Sequence, residues 1–441
     1  MPAARLAAPR YDAQLPMRIL LTANASYVPP RGGATRSNLL WLENLAQAGH
    51  VCQVVAAALP ESAAKREQLA SEDSCWQTLA QGAGVKVLHR VGIDVYEVAE
   101  RARQASALRR QIRAFQPDWV LVSSEDLGHV LLREAHHAAP GRVVYLAHTP
   151  QFFPFGPASW NPDAHATDLV SRAAGVVAIG QHTAAYIRQH AGCEVTVIHP
   201  PIYGSGPFPN LASFDTGLVT MVNPCALKGI SIFLALADRF PSHGFGVLPG
   251  WGTTATDRAR LTAHANIAML PNCRNIADFL GRSRILLMPS LWYEGFGLTV
   301  MEAMLHGIPV ISSDAGGLVE AKMGTPFVAP VPAIERYEPV FDEHSLPKPV
   351  IGPVDLEPWI EAVDALLADR ALYEQVSAAS REAALRFVGG LDAGRMREYL
   401  ESLTPGEAAP ARPSLADLSP EKRALLLQKI RSRRAVPAEP R

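Results

Sequence analysis

Twice along the chain, short apolar runs alternate with segments of helical periodicity, and a proline- and glycine-rich stretch at 201–216 separates the two series. No other feature narrows the fold as much. A strand followed by a helix and another strand is a crossover unit, whose strands pair in parallel, and a parallel sheet needs helices on both faces. In the first series the strand-like runs are 18–23, 51–57, 85–88, 119–122, 142–147, 175–179 and 195–198, with helical patterns over 35–49, 96–115, 130–137 and 181–190. The second has strands at 218–222, 244–248, 267–270, 285–289 and 308–312, with helices at 229–240, 276–280 and 298–306. Residues 330–354 are proline-rich and read as an irregular surface loop, after which 356–387 reads as two helices. The expected architecture is α/β, with two Rossmann-like domains at 17–205 and 206–390 whose parallel sheets face a central cleft. A helix at 391–404 is expected to return to the first domain. Residues 1–16 form an Ala/Pro-rich extension, and 405–441 a disordered linker with an amphipathic helical tail.

Composition removes several classes of function. Lys plus Arg (41) and Asp plus Glu (42) nearly cancel, and the formal charge of -1 lacks the basic surplus of a nucleic-acid binder. The five cysteines form no CxxC or Cys/His ligand cluster and read as reduced thiols, which suits a cytoplasmic protein. No apolar stretch has the length of a membrane span, and residues 1–16 lack the apolar core of a signal peptide.

In open α/β sheets ligands sit beyond the carboxyl ends of the strands, so chemistry is sought there. Strand 18–23 leads to Gly32-Gly33, and strand 142–147 to His148. Strand 218–222 leads to Asn223 and Lys228, and strand 308–312 to Asp314, Gly316 and Gly317. The densest constellation follows strand 285–289. There Glu294 and Glu302 stand eight residues apart, with Gly295, Phe296, Gly297 and Leu298 between them at a strand–turn–helix junction. Such a junction offers free backbone N–H groups to an anion, and Glu302, just over one turn into the helix, could reach a hydroxyl beside it. A phosphate next to a diol describes a nucleotide. Each residue also has a plainer reading: Gly32-Gly33 as a loop, His148 as a satisfied strand-end histidine, Lys228 as a solvated lysine, Asp314 as a turn cap.

Taken in order, these segments resemble the retaining GT-B glycosyltransferases of the family 4 type. Glu294 through Glu302 looks like their E-x7-E signature, Gly32-Gly33 like their N-terminal glycine loop, and His148 like their strand-end histidine. Lys228-Gly229 matches their phosphate lysine, and Asp314, Gly316, Gly317 and Glu320 their D-x-G-G-x-x-E segment; the likeness runs from about Met17 to Leu403. The resemblance implies transfer of a sugar, with retention, from a UDP- or GDP-sugar to a hydroxyl acceptor. The nucleotide-sugar is then a co-substrate, with no resident cofactor or metal; no Asp-x-Asp pair is present. It further implies that Glu302 binds the ribose and Glu294 the donor sugar. Backbone N–H groups of Phe296, Gly297 and Leu298 would meet the diphosphate, Lys228 would neutralise the leaving group, and Gly32, Gly33 and His148 would face the donor from the first domain.

One position departs from that pattern. Five residues before Lys228, where these enzymes carry a phosphate-binding arginine, stands Asn223; Arg31 or Arg36 across the cleft could supply the charge instead. The same departure sustains an alternative, a catalytically silent GT-B scaffold that binds a partner through its tail. Residues 418–430 resemble the short helix at domain junctions of nonribosomal peptide and polyketide synthases. That likeness implies docking of 415–434 on such an assembly line, and a small secondary metabolite or carrier-linked peptide as acceptor.

Overall fold

The computed structural model describes residues 15–406 apart from Pro29, Arg31, 59–75, Arg274 and Ser345. The expected arginine Arg31, the extension up to residue 14 and the tail from residue 407 lie outside the described residues. The first sheet has nine strands. Their spatial order is Gln77–Gly82, Val85–Arg90, Ile93–Val98, Val51–Ala57, Arg18–Ala23, Trp119–Ser123, Val143–Ala147, Gly175–Ala178 and Thr196–Val197. The second has six strands, in the order Ile267–Met269, Phe245–Leu248, Leu218–Val222, Ser283–Met288, Val310–Ser313 and Val328–Ala329, all parallel. Among the parallel strands the order reverses between Arg18–Ala23 and Trp119–Ser123 in the first sheet and between Leu218–Val222 and Ser283–Met288 in the second. Chain segments leaving neighbouring strands there diverge, which opens a crevice at their carboxyl ends.

The first sheet is not wholly parallel. Residues 85–88, read as one more parallel strand, belong to an edge meander in which Val85–Arg90 pairs antiparallel with both neighbours. Its two turns place Ala83-Gly84 and Val91-Gly92 at positive φ, the two-residue hairpin geometry usually signalled by Asn-Gly. The predicted helix 96–115 accordingly begins only at Arg101, because Ile93–Val98 is a buried strand beside Val51–Ala57. The expected loop 330–354 is likewise corrected: Ile334–Phe341 and Pro347–Ile351 form an antiparallel hairpin. A two-stranded ribbon has open edges, so its prolines interrupt no inner ladder.

The apolar runs are strands because both faces of each sheet are covered; Val143–Ala147 and Trp119–Ser123 are buried at every position. The principal core crosses from one domain to the other, joining Ile19, Trp41 and Ile179 to Phe296, Met301 and Ala384. Helix Arg395–Ser402 leaves the second domain and packs on the first, burying Met396 and Leu400 in this core.

Candidate functional site

Lys228 ends a short 3-10 turn after strand Leu218–Val222, and Glu294 lies in the turn after Ser283–Met288. The two strands are neighbours at the reversal point, which brings the side chains together. Lys228 Nζ pairs with Glu294 Oε1, which also accepts from Ser290 Oγ. Both charged side chains are close to nine-tenths buried (13% and 12% exposed), so each needs the other. The ammonium also lies 4.1 Å from the centre of the Trp292 ring. Trp292 in turn meets Trp160 of the first domain and the exposed Trp251.

After Glu294 the chain turns through Gly297, at φ +111°, into helix Leu298–Leu305. Neither the N–H of Gly297 nor that of Leu298 has a partner among the described residues, as the opening of a helix dictates. The adjacent Asp314–Gly317 turn braces this segment: the Gly317 N–H donates to Glu294 O (2.8 Å) and Ser313 Oγ to Ser290 O (2.7 Å).

Residues of the first domain close on this turn. Gly33, which opens helix Gly33–Gln47, lies so near Leu298 that a methyl group on it would stand 2.6 Å from Leu298 Cδ1. A methyl on Gly295 would stand 2.1 Å from the carbonyl oxygen of His148. Thr183 Oγ1 donates to Gly295 O (2.8 Å), and Gln151, its amide oriented to satisfy both groups, bonds the backbone N–H and carbonyl of Tyr293 at 3.0 and 3.2 Å. Nearby, His199 sits 3.5 Å from Glu320; burial lowers the pKa of its imidazole, against the opposing pull of that carboxylate.

Glu302 faces a cavity of about 690 Å³ shared by both domains, lined by Arg36, Tyr203, Leu248, Cys273, Asn275 and His306 among others. Arg36, on the first turn of helix Gly33–Gln47, reaches across to Glu302 Oε1 at 2.9 Å. The Tyr203 hydroxyl is buried beside this pair without a partner among the described residues, and burial, then the Glu302 charge, raises its pKa. A second cavity of about 460 Å³ opens between the domains beyond Tyr293, lined by Tyr186, His190, Tyr293, Asp314 and Tyr337.

The structure therefore gathers Gly32, Gly33, Lys228, Glu294, Phe296, Gly297, Leu298 and Glu302 around one cleft, while the side chains of His148 and Asn223, also expected there, are engaged elsewhere. Phe296 turns its ring into the interdomain core, stacked 5.5 Å from Phe387. His148 is 1% exposed: its Nε2 is held by Asn38 Oδ1 at 2.9 Å and its ring lies against Trp41, so its carbonyl, not its imidazole, meets the Gly295 turn. Burial lowers the pKa of this imidazole, and the charge of Glu125 opposes the shift. Asn223, expected at the donor, has a left-handed backbone (φ +55°), and its Oδ1 accepts from the Gly252 N–H at 2.9 Å. It shapes the Gly250–Thr253 turn.

Sequence reasoning missed Ser290, Thr183, Tyr203 and Asn38 as site residues. Only Asn38 carried a signal, as a polar residue in phase with the buried stripe Trp41, Leu42, Leu45.

Residues 31–203 match the family model described as Glycosyltransferase Family 4, and residues 229–335 the one described as Glycosyl transferases group 1. Among solved structures, the fold is shared with Anabaena HepE in complex with UDP and glucose (TM-score 0.60, 15% identity, 87% of this chain and 98% of that one). It is shared equally with sucrose-phosphate synthase from Thermosynechococcus elongatus (TM-score 0.62, 15% identity, 87% and 98%). A glycosyltransferase from Rickettsia africae has it too (TM-score 0.57, 15% identity, 88% and 97%). An uncharacterized 42.6 kDa protein from the cps region of Klebsiella pneumoniae is 28% identical over 123 residues, so the chain spans 31% of the length of that curated relative.

Proposed function

We propose that this chain, a GT-B glycosyltransferase in both halves, moves a sugar from a nucleoside-diphosphate sugar to a hydroxyl acceptor. One arrangement carries the reading: a buried cation, Lys228, pairs with Glu294, the unpartnered N–H groups of Gly297 and Leu298 follow on the same segment, and a turn further on the carboxylate of Glu302 lines a cavity with ample room for a nucleoside. The base and ribose occupy that cavity, with the ribose diol on Glu302 and the Tyr203 hydroxyl at hand. The diphosphate lies against the helix opening, where N–H groups and helix dipole favour an anion.

Breaking the glycosidic bond places negative charge on the departing diphosphate. Lys228, anchored by Glu294 under Trp292, and the fixed N–H groups stabilise that charge without rearrangement, which is where such sites gain most of their rate. Glu294, with Ser290 on the same oxygen, holds the donor sugar's hydroxyls. Its carboxylate and that of Glu302 lie on one segment of one domain, an arrangement suited to donor binding and unlike a pair straddling the bond. The acceptor then attacks from the face the diphosphate leaves, with retention. The aromatic cavity at Tyr186, Tyr293 and Tyr337 suits a small, partly apolar acceptor such as a secondary metabolite.

The test is release of nucleoside diphosphate from UDP- and GDP-sugars in the presence of hydroxyl acceptors. Lys228→Met is expected to reduce turnover about 100-fold or more with a wild-type circular dichroism spectrum. If calorimetry detects no binding of UDP, GDP or ADP by the intact chain, the enzyme reading fails and the scaffold reading replaces it.

A further inference from the structure

We propose that Arg36 is the second cation of the diphosphate site, supplied by the first domain, and that it exchanges Glu302 for the diphosphate when a nucleotide enters. This rests on the donor site argued above and assigns one of its residues.

The charge balance requires such a group. A nucleoside diphosphate brings two to three negative charges, yet Lys228 is already matched by Glu294. The neighbouring strand end offers only Asn223, whose side-chain oxygen is committed to Gly252 and which carries no charge. Arg36 lies on the wall of the nucleoside cavity itself. Its side chain is 40% exposed and uses one N–H on Glu302, so further donors of the guanidinium are left for phosphate oxygens.

Position and reach fit the exchange. Arg36 stands on the first turn of helix Gly33–Gln47, its N–H bonded to Gly32 O at 3.1 Å, and Gly33 touches Leu298. Leu298 opens the helix that carries Glu302 four residues later, about 6 Å along the axis at 1.5 Å per residue. A guanidinium on Glu302 is thus one helical turn from the N–H groups proposed for the diphosphate, within the swing of an arginine side chain. Glu302 is 9% exposed and needs a donor in either state. The ribose diol replaces the guanidinium there, so Glu302 keeps hydrogen bonds while Arg36 gains a doubly charged partner. Because Arg36 belongs to one domain and the remaining phosphate ligands to the other, the nucleotide then ties the two domains together.

Calorimetry on the full chain with UDP, GDP, uridine and guanosine tests this. Arg36→Ala is expected to weaken binding of the preferred diphosphate at least ten-fold while affinity for its nucleoside is unchanged or tighter, since Glu302 is freed. Arg36→Lys should recover part of the loss. The wild-type diphosphate affinity should fall more steeply with salt than that of Arg36→Ala. Arg36→Gln, which keeps a polar side chain without the charge, guards against a folding defect and should behave as Arg36→Ala. Diphosphate affinity that is unchanged or tighter in both neutral variants overturns the proposal, because Arg36 would then only compete for Glu302. Wild-type protein that binds neither diphosphate nor nucleoside overturns the donor site itself, a result distinct from the first.

Discussion

At the scale of single residues, the site pattern was legible where the chemistry is local. Glu294, Gly297 and Glu302 lie on one strand–turn–helix segment, and Lys228 follows a strand next to it. What escaped was pairing across the fold. Arg36 and Glu302 are 266 positions apart, His148 and Asn38 110, and Thr183 and Gly295 112, and nothing in the residue types encodes such partners. Lys322 shows the same limit. Lysines are ordinarily exposed, but this one is 1% exposed, its ammonium donating to the carbonyl of Val310. Burial pulls its pKa from 10.5 down to about 7. The unfolded chain keeps this proton up to its ordinary pKa while the folded chain releases it near 7, so folding is favoured progressively as pH rises between those values. Lys322→Met is expected to stabilise the protein at neutral pH by about 1–4 kcal/mol and to flatten stability above pH 7, both read from urea unfolding. A loss of stability at every pH would show instead that the bond to Val310 outweighs the cost of burial.

At the scale of elements, the central strands were readable because burial on both faces leaves near-continuous apolar runs such as Val143–Ala147. The edge meander Gln77–Val98 was not, since Gln77–Gly82 is exposed throughout and its turns carry Ala83 and Val91 where Asn, Asp or Gly usually precedes the glycine. The hairpin Ile334–Ile351 was hidden by its prolines, yet it presents Tyr337 edge-on to Trp160 at 5.8 Å, adding an interdomain contact beside the aromatic cavity. Helix Arg395–Ser402 has only two fully buried side chains, Met396 and Leu400, to hold it on the first domain. Leu400→Ala should therefore cost about 2–5 kcal/mol, and the helix should exchange its amide protons faster than the sheet beneath it. Equal protection in wild type and variant would place the anchor elsewhere, for instance at Tyr399 against Gly175.

For the whole molecule, the two helix-covered sheets follow from the doubled alternation, while the order of their strands and the continuity of one core through both domains emerge only from the folded structure. Packing also places histidines in dry surroundings. Burial, with Arg172 assisting, pulls His136 from 6.5 to about 4, and burial likewise lowers His148 and His199. The unfolded chain protonates these rings near their ordinary value and the folded chain only at lower pH, so the unfolded state binds more protons in acid. Stability is expected to fall as pH drops from about 6.5 toward about 4; His136→Gln should remove part of that slope, and an identical slope in the variant would exonerate this ring. The path of the chain has one further result. After Arg395–Ser402 the backbone is fastened to the first domain again, the Gly406 N–H donating to the Gly141 carbonyl at 2.8 Å. The last described residue is therefore held by the loop that leads into strand Val143–Ala147, and moves with the sheet on which helix Gly33–Gln47 and Arg36 are mounted.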